Sequence, residues 1–187
     1  MKSCYLSENQ YNELLELSGV YRQQAGRCAN AKAHLAACVM IGAALESDLM
    51  AFCHCYSNEI PADIIPQRKG KPNHLLNWSL AELLRVAKKC GWLPAGLQLD
   101  EEWDQHRAEI GDWAEVVRQF RNLVHPSWYV SAFPNQRVTK KRLELCDDVL
   151  DAAQDHLLAK LYKSLEAAVL KPKNKGRTKT SIRSGSR

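Results

Sequence analysis

The chain has 187 residues, enough for one domain with a sizeable core. Nine glycines, seven prolines, few β-branched runs and long Ala/Leu/Glu/Lys stretches argue for an all-helical class. The net charge of +5 is unevenly placed: residues 171–187 hold seven of the 26 Lys/Arg and no acid, which leaves 19 basic against 21 acidic residues, net −2, in the body. A uniformly basic nucleic-acid-binding body is thereby excluded. Seven cysteines at irregular spacing exclude a disulfide scaffold and read as reduced thiols of a cytosolic protein. The first residues show no apolar leader, and the apolar run from Leu35 to Leu45 meets Glu46 and Asp48 too soon for a membrane span. The expectation is a cytoplasmic protein with no membrane partner.

In chain order, Ser7 and Gln10 form a capping box that opens a helix near Glu8. Tyr11, Leu14, Leu15 and Leu17 start its apolar face, and Gly19 or Gly26 is expected to bend or break it. The stretch from Asn30 to Tyr56 is expected to continue as helix, with Ala37, Met40, Ala44 and Ser47 among the residues recurring at helical spacing. So many small side chains suit the close-packed centre of a bundle. Residues 57–78 read as a long polar loop. Ser79 and Glu82 cap a helix with Leu80, Leu83, Leu84, Ala87 and Cys90 inside, and Gly91 ends it. Asp100 to Ile110 reads as a short helix or as the first segment of the next one. Residues 126–138 are expected to be a connection, and Thr139 the cap of a last long helix. Leu143, Cys146, Leu150, Ala153, Leu157, Leu161, Leu165 and Ala168 form the stripe of that helix. The body is thus one helical domain over 1–170, and the tail over 171–187 is expected to be flexible and disordered.

The richest stretch is Asp112 to Pro126. Asp112 and Glu115 read as a capping box, and Pro126 should stop the helix at His125. At roughly 100° per residue, Trp113, Val116, Val117, Phe120, Leu123 and Val124 share the core face, while Arg118, Arg121 and His125 share one narrow flank. Ala114 lies one turn below that flank and would let another backbone come close. No Gly-rich phosphate loop, nucleophile elbow or His-Glu-x-x-His pattern competes with this constellation.

Arg118-Gln-Phe-Arg-Asn-Leu-Val-His125 followed by Pro resembles the signature of the HEPN superfamily. The resemblance implies a small α-helical bundle, and in many members a metal-independent endoribonuclease of bacterial phage defence or toxin–antitoxin systems. It also implies a homodimer whose paired helices build one RNA-cleaving groove, with no cofactor. The family pattern is an Arg, usually with a polar neighbour, followed by a His about four to six positions beyond. Arg118 and His125, with six residues between them and Gln119 beside the Arg, fit it. Arg121-Asn122 leaves only Leu123 and Val124 before His125, too short for the catalytic pattern; with Gln119 the pair reads as assisting or phosphate-binding, or Asn122 instead bonds the backbone beyond Pro126 and fixes the turn.

The chemistry suits these residue types. An imidazole moves protons near neutral pH, and a guanidinium neutralises charge building on a phosphate through two parallel hydrogen bonds. The competing reading is structural: Arg118 and His125 would close the helix end, pair with acids such as Asp147 and hold the bundle. A HEPN-like adaptor that binds a protein partner or antitoxin is the corresponding alternative function. Trp128, Tyr129 and Phe133 either stack on unpaired bases or plug the core. Cys53-His54-Cys55 is not read as a metal site, since residues two apart on a helix point nearly opposite ways. Glu144, Asp147, Asp148, Asp151 and Asp155 read as a solvated face. Lys171, Lys173, Lys175, Arg177 and Lys179 of the tail can contact RNA phosphates or simply aid solubility.

Overall fold

The fold is that of a computed structural model, which describes residues 5–94, 110–132 and 137–170. Its elements are helices α1 (Glu8–Asn30), α2 (His34–Cys55), α3 (Leu80–Lys89), α4 (Ile110–Asn122), α5 (Pro126–Ala132) and α6 (Lys140–Leu170). A minimal antiparallel pair, β1 (Gln67–Arg68) and β2 (Lys71–Pro72), lies between α2 and α3. The all-helical class read from composition is therefore observed. The tail from 171, including Lys171, Lys173, Lys175, Arg177 and Lys179, and the segments holding Asp100 and Phe133 lie outside the described residues.

Local signals place several helix ends as expected. The Ser7 hydroxyl accepts from the Gln10 amide at 3.3 Å, and the Gln10 side chain accepts from the Ser7 amide at 2.9 Å. Ser79 and Glu82 repeat this box at α3, and the Thr139 hydroxyl accepts from the Arg142 amide at the start of α6. Gly91 takes φ +68° just past α3, the left-handed turn that glycine adopts without strain.

The first reversal of the chain departs from expectation. Neither Gly19 nor Gly26 breaks α1, which runs through both. The break falls at Ala31–Ala33, where Lys32 takes φ +59° and the Ala33 amide donates back to the Cys28 carbonyl. In this Ala-rich stretch with neither Gly nor Pro, Arg27 in the last turn and Asn30 at its end are the local stop signals, weaker than a glycine. Burial of the two helices against each other selects the turn. The 57–78 segment is also more ordered than a plain loop: Leu75 and Trp78 are buried, and the Trp78 indole donates to the Asn73 carbonyl at 3.0 Å.

Helix α2 is the axis, in contact with α1, α3, α4 and α6. By length and hydropathy it would suffice to cross a bilayer, at 22 residues and a mean hydropathy of 1.7. The acids at 46 and 48, expected to end its apolar run, lie mid-helix and are paired inward. Ala37, Cys38, Ile41, Ala44, Leu45 and Leu49 are all buried against neighbouring helices, so its apolar content belongs to the bundle core. Cys38 faces Cys146 of α6 within hydrogen-bonding reach. On α6 the expected stripe is buried only as far as Leu157: Leu161 and Leu165 are 38% and 53% exposed. The 31-residue α6 extends beyond the part of the bundle that covers it.

Two glycines of equal composition have opposite tolerance. A Cβ built on Gly42 would lie 2.7 Å from the Cβ of Arg121, whereas one on Gly19 would meet nothing within 4 Å. Gly42→Ala should therefore destabilise by about 1–3 kcal/mol through overpacking, while Gly19→Ala should stabilise by up to about 1 kcal/mol. Urea unfolding of the two variants checks both signs. A Gly42→Ala protein as stable as wild type would mean that α4 does not pack as described.

Candidate functional site

Val117 and Phe120 of α4 and Leu123 just past its end are buried as the periodicity indicates, and Ala114, which it placed below the Arg118 flank, is fully buried as well. The side chains of Trp113 and Val116 lie outside the described set, as do those of Asp112 and Glu115. Asp112 sits inside α4, which extends back to Ile110, so the expected cap at 112 is not where this helix begins. The other end also differs. The helix stops at Asn122, three residues before His125, and tightens into a turn. There the Leu123, Val124 and His125 amides donate to the Phe120, Arg121 and Asn122 carbonyls at 3.1, 3.5 and 3.0 Å.

Pro126 does more than stop the helix. It begins α5, with the Tyr129 amide donating to the His125 carbonyl at 3.0 Å. Proline suits a first helical position because it lacks the N–H that would be unpartnered there. The expected connection at 126–138 thus contains a helix, and His125 is the hinge residue between two helices. Its side chain is exposed. Val124, expected in the core, is 57% exposed because the turn rotates it outward.

The flank of cations is divided by this geometry. Arg121 is directed onto α2, where its guanidinium pairs with the Glu46 carboxylate at 2.6 Å and its stem crosses Gly42. Glu46 also accepts from the backbone amide of Leu80, at the start of α3. Burial pushes the Glu46 carboxyl above its ordinary value, and the Arg121 charge and the Leu80 amide oppose that rise. Arg118 is half-buried, Gln119 exposed and Asn122 half-buried. Asn122 contributes its backbone carbonyl to the turn. Trp128 is 38% exposed, while Tyr129 is half-buried against the core.

Sequence reading overlooked a second set of cations. Arg137, Lys140, Lys141 and Arg142 cluster at the start of α6, and the Arg142 guanidinium lies over the Phe120 ring of α4 at 5.9 Å from its centre. This contact joins the basic run to the end of α4. The run also opposes the usual preference at a helix N-terminus, where the backbone dipole favours anions. The first turn of α6 holds no acid. That local conflict in the run Arg137-Val-Thr-Lys-Lys-Arg142 was the legible signal.

Glu144, Asp147, Asp148, Asp151 and Asp155 of α6 are exposed, but Asp151 is bonded to Arg22 of α1. Asp147 faces Arg22, Asp148 and Asp151, and lies beside the α1 helix. Cys53 is buried and Cys55 exposed, with the His54 ring 5.4 Å from that of Tyr11, so the three side chains do not converge. Among the described residues no group of three or more His, Cys, Asp or Glu could hold a metal ion. Comparison with protein-family models, curated proteins and solved structures finds no match for this chain.

The Arg121–Glu46 pair gives a pH-dependent expectation. Arg121→Ala leaves the Glu46 carboxylate part-buried without its cation, at a cost of about 1–3 kcal/mol near neutral pH. A carboxyl whose folded pKa is raised loses stability as pH rises from its ordinary range through the folded value. Removing Arg121 raises that value further. The penalty should therefore be small at acid pH and grow toward neutrality, as thermal unfolding across pH 4–8 would show. A pH-independent penalty would indicate lost packing alone.

Proposed function

We propose that this protein is a HEPN-like, metal-independent ribonuclease that acts as a cytoplasmic homodimer, of the kind found in phage defence or toxin–antitoxin systems. The observation that carries the reading is the Arg118–His125 motif at the end of α4, with His125 exposed on the turn into α5. A further basic run, Arg137, Lys140, Lys141 and Arg142, lies at the start of α6, where Arg142 packs over Phe120 of α4. Such a surface attracts phosphates without requiring a basic body, and its binding weakens steeply with salt. Val124, Trp128 and Val130 are exposed around His125, the latter at 71%, and suit burial by a second copy.

The reaction needs no redox or metal step. His125 takes the proton from a ribose 2′-hydroxyl, and the 2′ oxygen bonds to the adjacent phosphorus. The bond from phosphorus to the 5′ oxygen breaks, and that oxygen takes a proton from the imidazolium of the second copy. Cyclic phosphate and 5′-hydroxyl ends result. Arg118 stabilises the charge that builds on the phosphate oxygens. Arg121, held by Glu46, fixes the position of α4 beneath Arg118, and Gln119 and Asn122 flank the bound phosphate.

A mixed RNA pool incubated with EDTA tests this. Wild type should leave cyclic-phosphate ends, and Arg118→Ala and His125→Ala should each lose about 100-fold or more of the rate while keeping fold and mass. Variants that cut as fast as wild type would remove the assignment.

A second reading, a HEPN-like adaptor for a protein partner, draws on a separate feature. Leu158, Leu161, Tyr162, Leu165 and Val169 form an exposed apolar stripe on α6. An adaptor would lose its partner on Leu165→Glu and keep it on His125→Ala.

A further inference from the structure

Helices α1 and α6 lie side by side over α2 without closing on each other. Between the α1–α2 turn and the first half of α6 they leave a cavity of about 690 Å³, within the range of small-ligand sites. Its apolar surface comes from Ile41 of α2 and from Leu143 and Leu150 of α6. One end is closed by a polar strut: Arg22 of α1 is bonded to Asp151 and Gln154, and Gln154 donates to Asp48 of α2 at 2.6 Å. The strut holds the Arg22 guanidinium in place at the cavity wall.

The cavity carries groups that suit a flat, polar-edged ring rather than a plain apolar one. His34 and Arg22 are both among its lining residues, and imidazole and guanidinium planes are groups on which unpaired bases stack. Glu144 and Asp147 stand on the same wall, one turn apart on α6, and accept from amino groups. Lys140 sits at the rim, paired with Glu144 at 3.0 Å and with its side chain 78% exposed. Three consecutive cations therefore fan across the start of α6. Arg142 lies over Phe120 on the α4 side, Lys141 is exposed, and Lys140 borders the cavity on the α1 side. A strand that crosses this turn by its phosphates passes from the Phe120 side of α4 to the cavity.

We propose that the cavity receives an unpaired, amino-bearing base (adenine or cytosine rather than uracil) of an RNA strand lying across the first turn of α6. This rests on the RNA reading above and adds a specificity site to it. The exocyclic amine donates to Glu144. Uracil presents a carbonyl at the corresponding edge, and carbonyl against carboxylate is repulsive.

Gly26 makes the cavity testable without loss of fold. It lines the space, and a Cβ there meets nothing within 4 Å. Gly26→Trp should fill the cavity, and Gly19→Trp, on the same helix with equally open surroundings but outside the cavity, is the control. Fluorescein-labelled rA7, rC7 and rU7 are titrated by anisotropy at one low salt concentration.

Wild type should bind rA7 and rC7 about tenfold more tightly than rU7, as one good base contact provides. Gly26→Trp should bring all three to the rU7 level, and Gly19→Trp should leave the preference intact. Glu144→Ala, an exposed substitution, should erase the preference independently. A preference retained in both Gly26→Trp and Glu144→Ala overturns the proposal, as does a wild type with no preference. Arg137→Glu with Lys141→Glu separates the two readings, since it should weaken all three oligomers alike. If it does while the cavity variants change nothing, the RNA reading stands and the base site falls. If wild type binds none of the oligomers, both fall.

Discussion

The arrangement of the site depends on one ion pair formed across a glycine. Glu46 sits in the middle of the core helix α2, one turn beyond Gly42. Because Gly42 has no Cβ, the stem of Arg121 crosses α2 at a distance no alanine would permit, and its guanidinium reaches Glu46. The same carboxylate accepts from the first amide of α3. Three helices are thereby registered by one acid whose burial is offset in part by the Arg121 charge and the Leu80 amide. The pair's net contribution to stability is modest by nature, because desolvation offsets attraction, but its contribution to geometry is specific. It fixes the rotation of α4, and so fixes where Arg118 and the turn to His125 emerge.

A second polar contact does the same on the opposite face of α2. Arg22, Asp151, Gln154 and Asp48 tie α1 and α6 to the axis through hydrogen bonds. Burial pushes the Asp48 carboxyl above its ordinary value, while Ser18 and Gln154 donate to it and offset part of that cost. Helices held by a strut rather than by interlocking side chains leave space beside it. The cavity toward the α1–α2 turn and a smaller apolar one of about 330 Å³, walled by Tyr11, Phe52 and Leu158, are the result. Buried polar contacts here shape the hollows as much as the apolar core shapes the bundle.

The division of labour among the cations follows. Of the residues on one flank of α4, Arg121 is turned inward and His125 is carried outward by a turn. Arg118 remains on the helix between them. A second set of cations stands at the start of α6, where Arg142 lies against Phe120. Cations crowded at the positive end of a helix carry a local cost. A phosphate-bearing ligand would relieve it.

Much of the fold was legible in the amino-acid order because its determinants are local. Ser7 with Gln10, Ser79 with Glu82, Thr139 and Gly91 mark ends by contacts within a few residues, and the 3.6-residue rhythm identified Val117, Phe120, Leu123, Leu143 and Leu150 as interior. The motif from Arg118 to Pro126 was likewise visible as a pattern. The break at Lys32 was not, because an alanine-rich segment turns only where packing of α1 on α2 rewards it. The early end of α4 and the helix after Pro126 also escaped, since a proline reads equally well as a stop or as a first helical residue. Which glycine is indispensable, where Arg121 points, and that Arg142 lies over Phe120 depend on neighbours 22 to 79 positions away. Sequence determined the helices and their inward faces. Only tertiary packing decided which cations were committed to the core and which were left facing outward, because that choice is made by burial and pairing between helices distant in the chain.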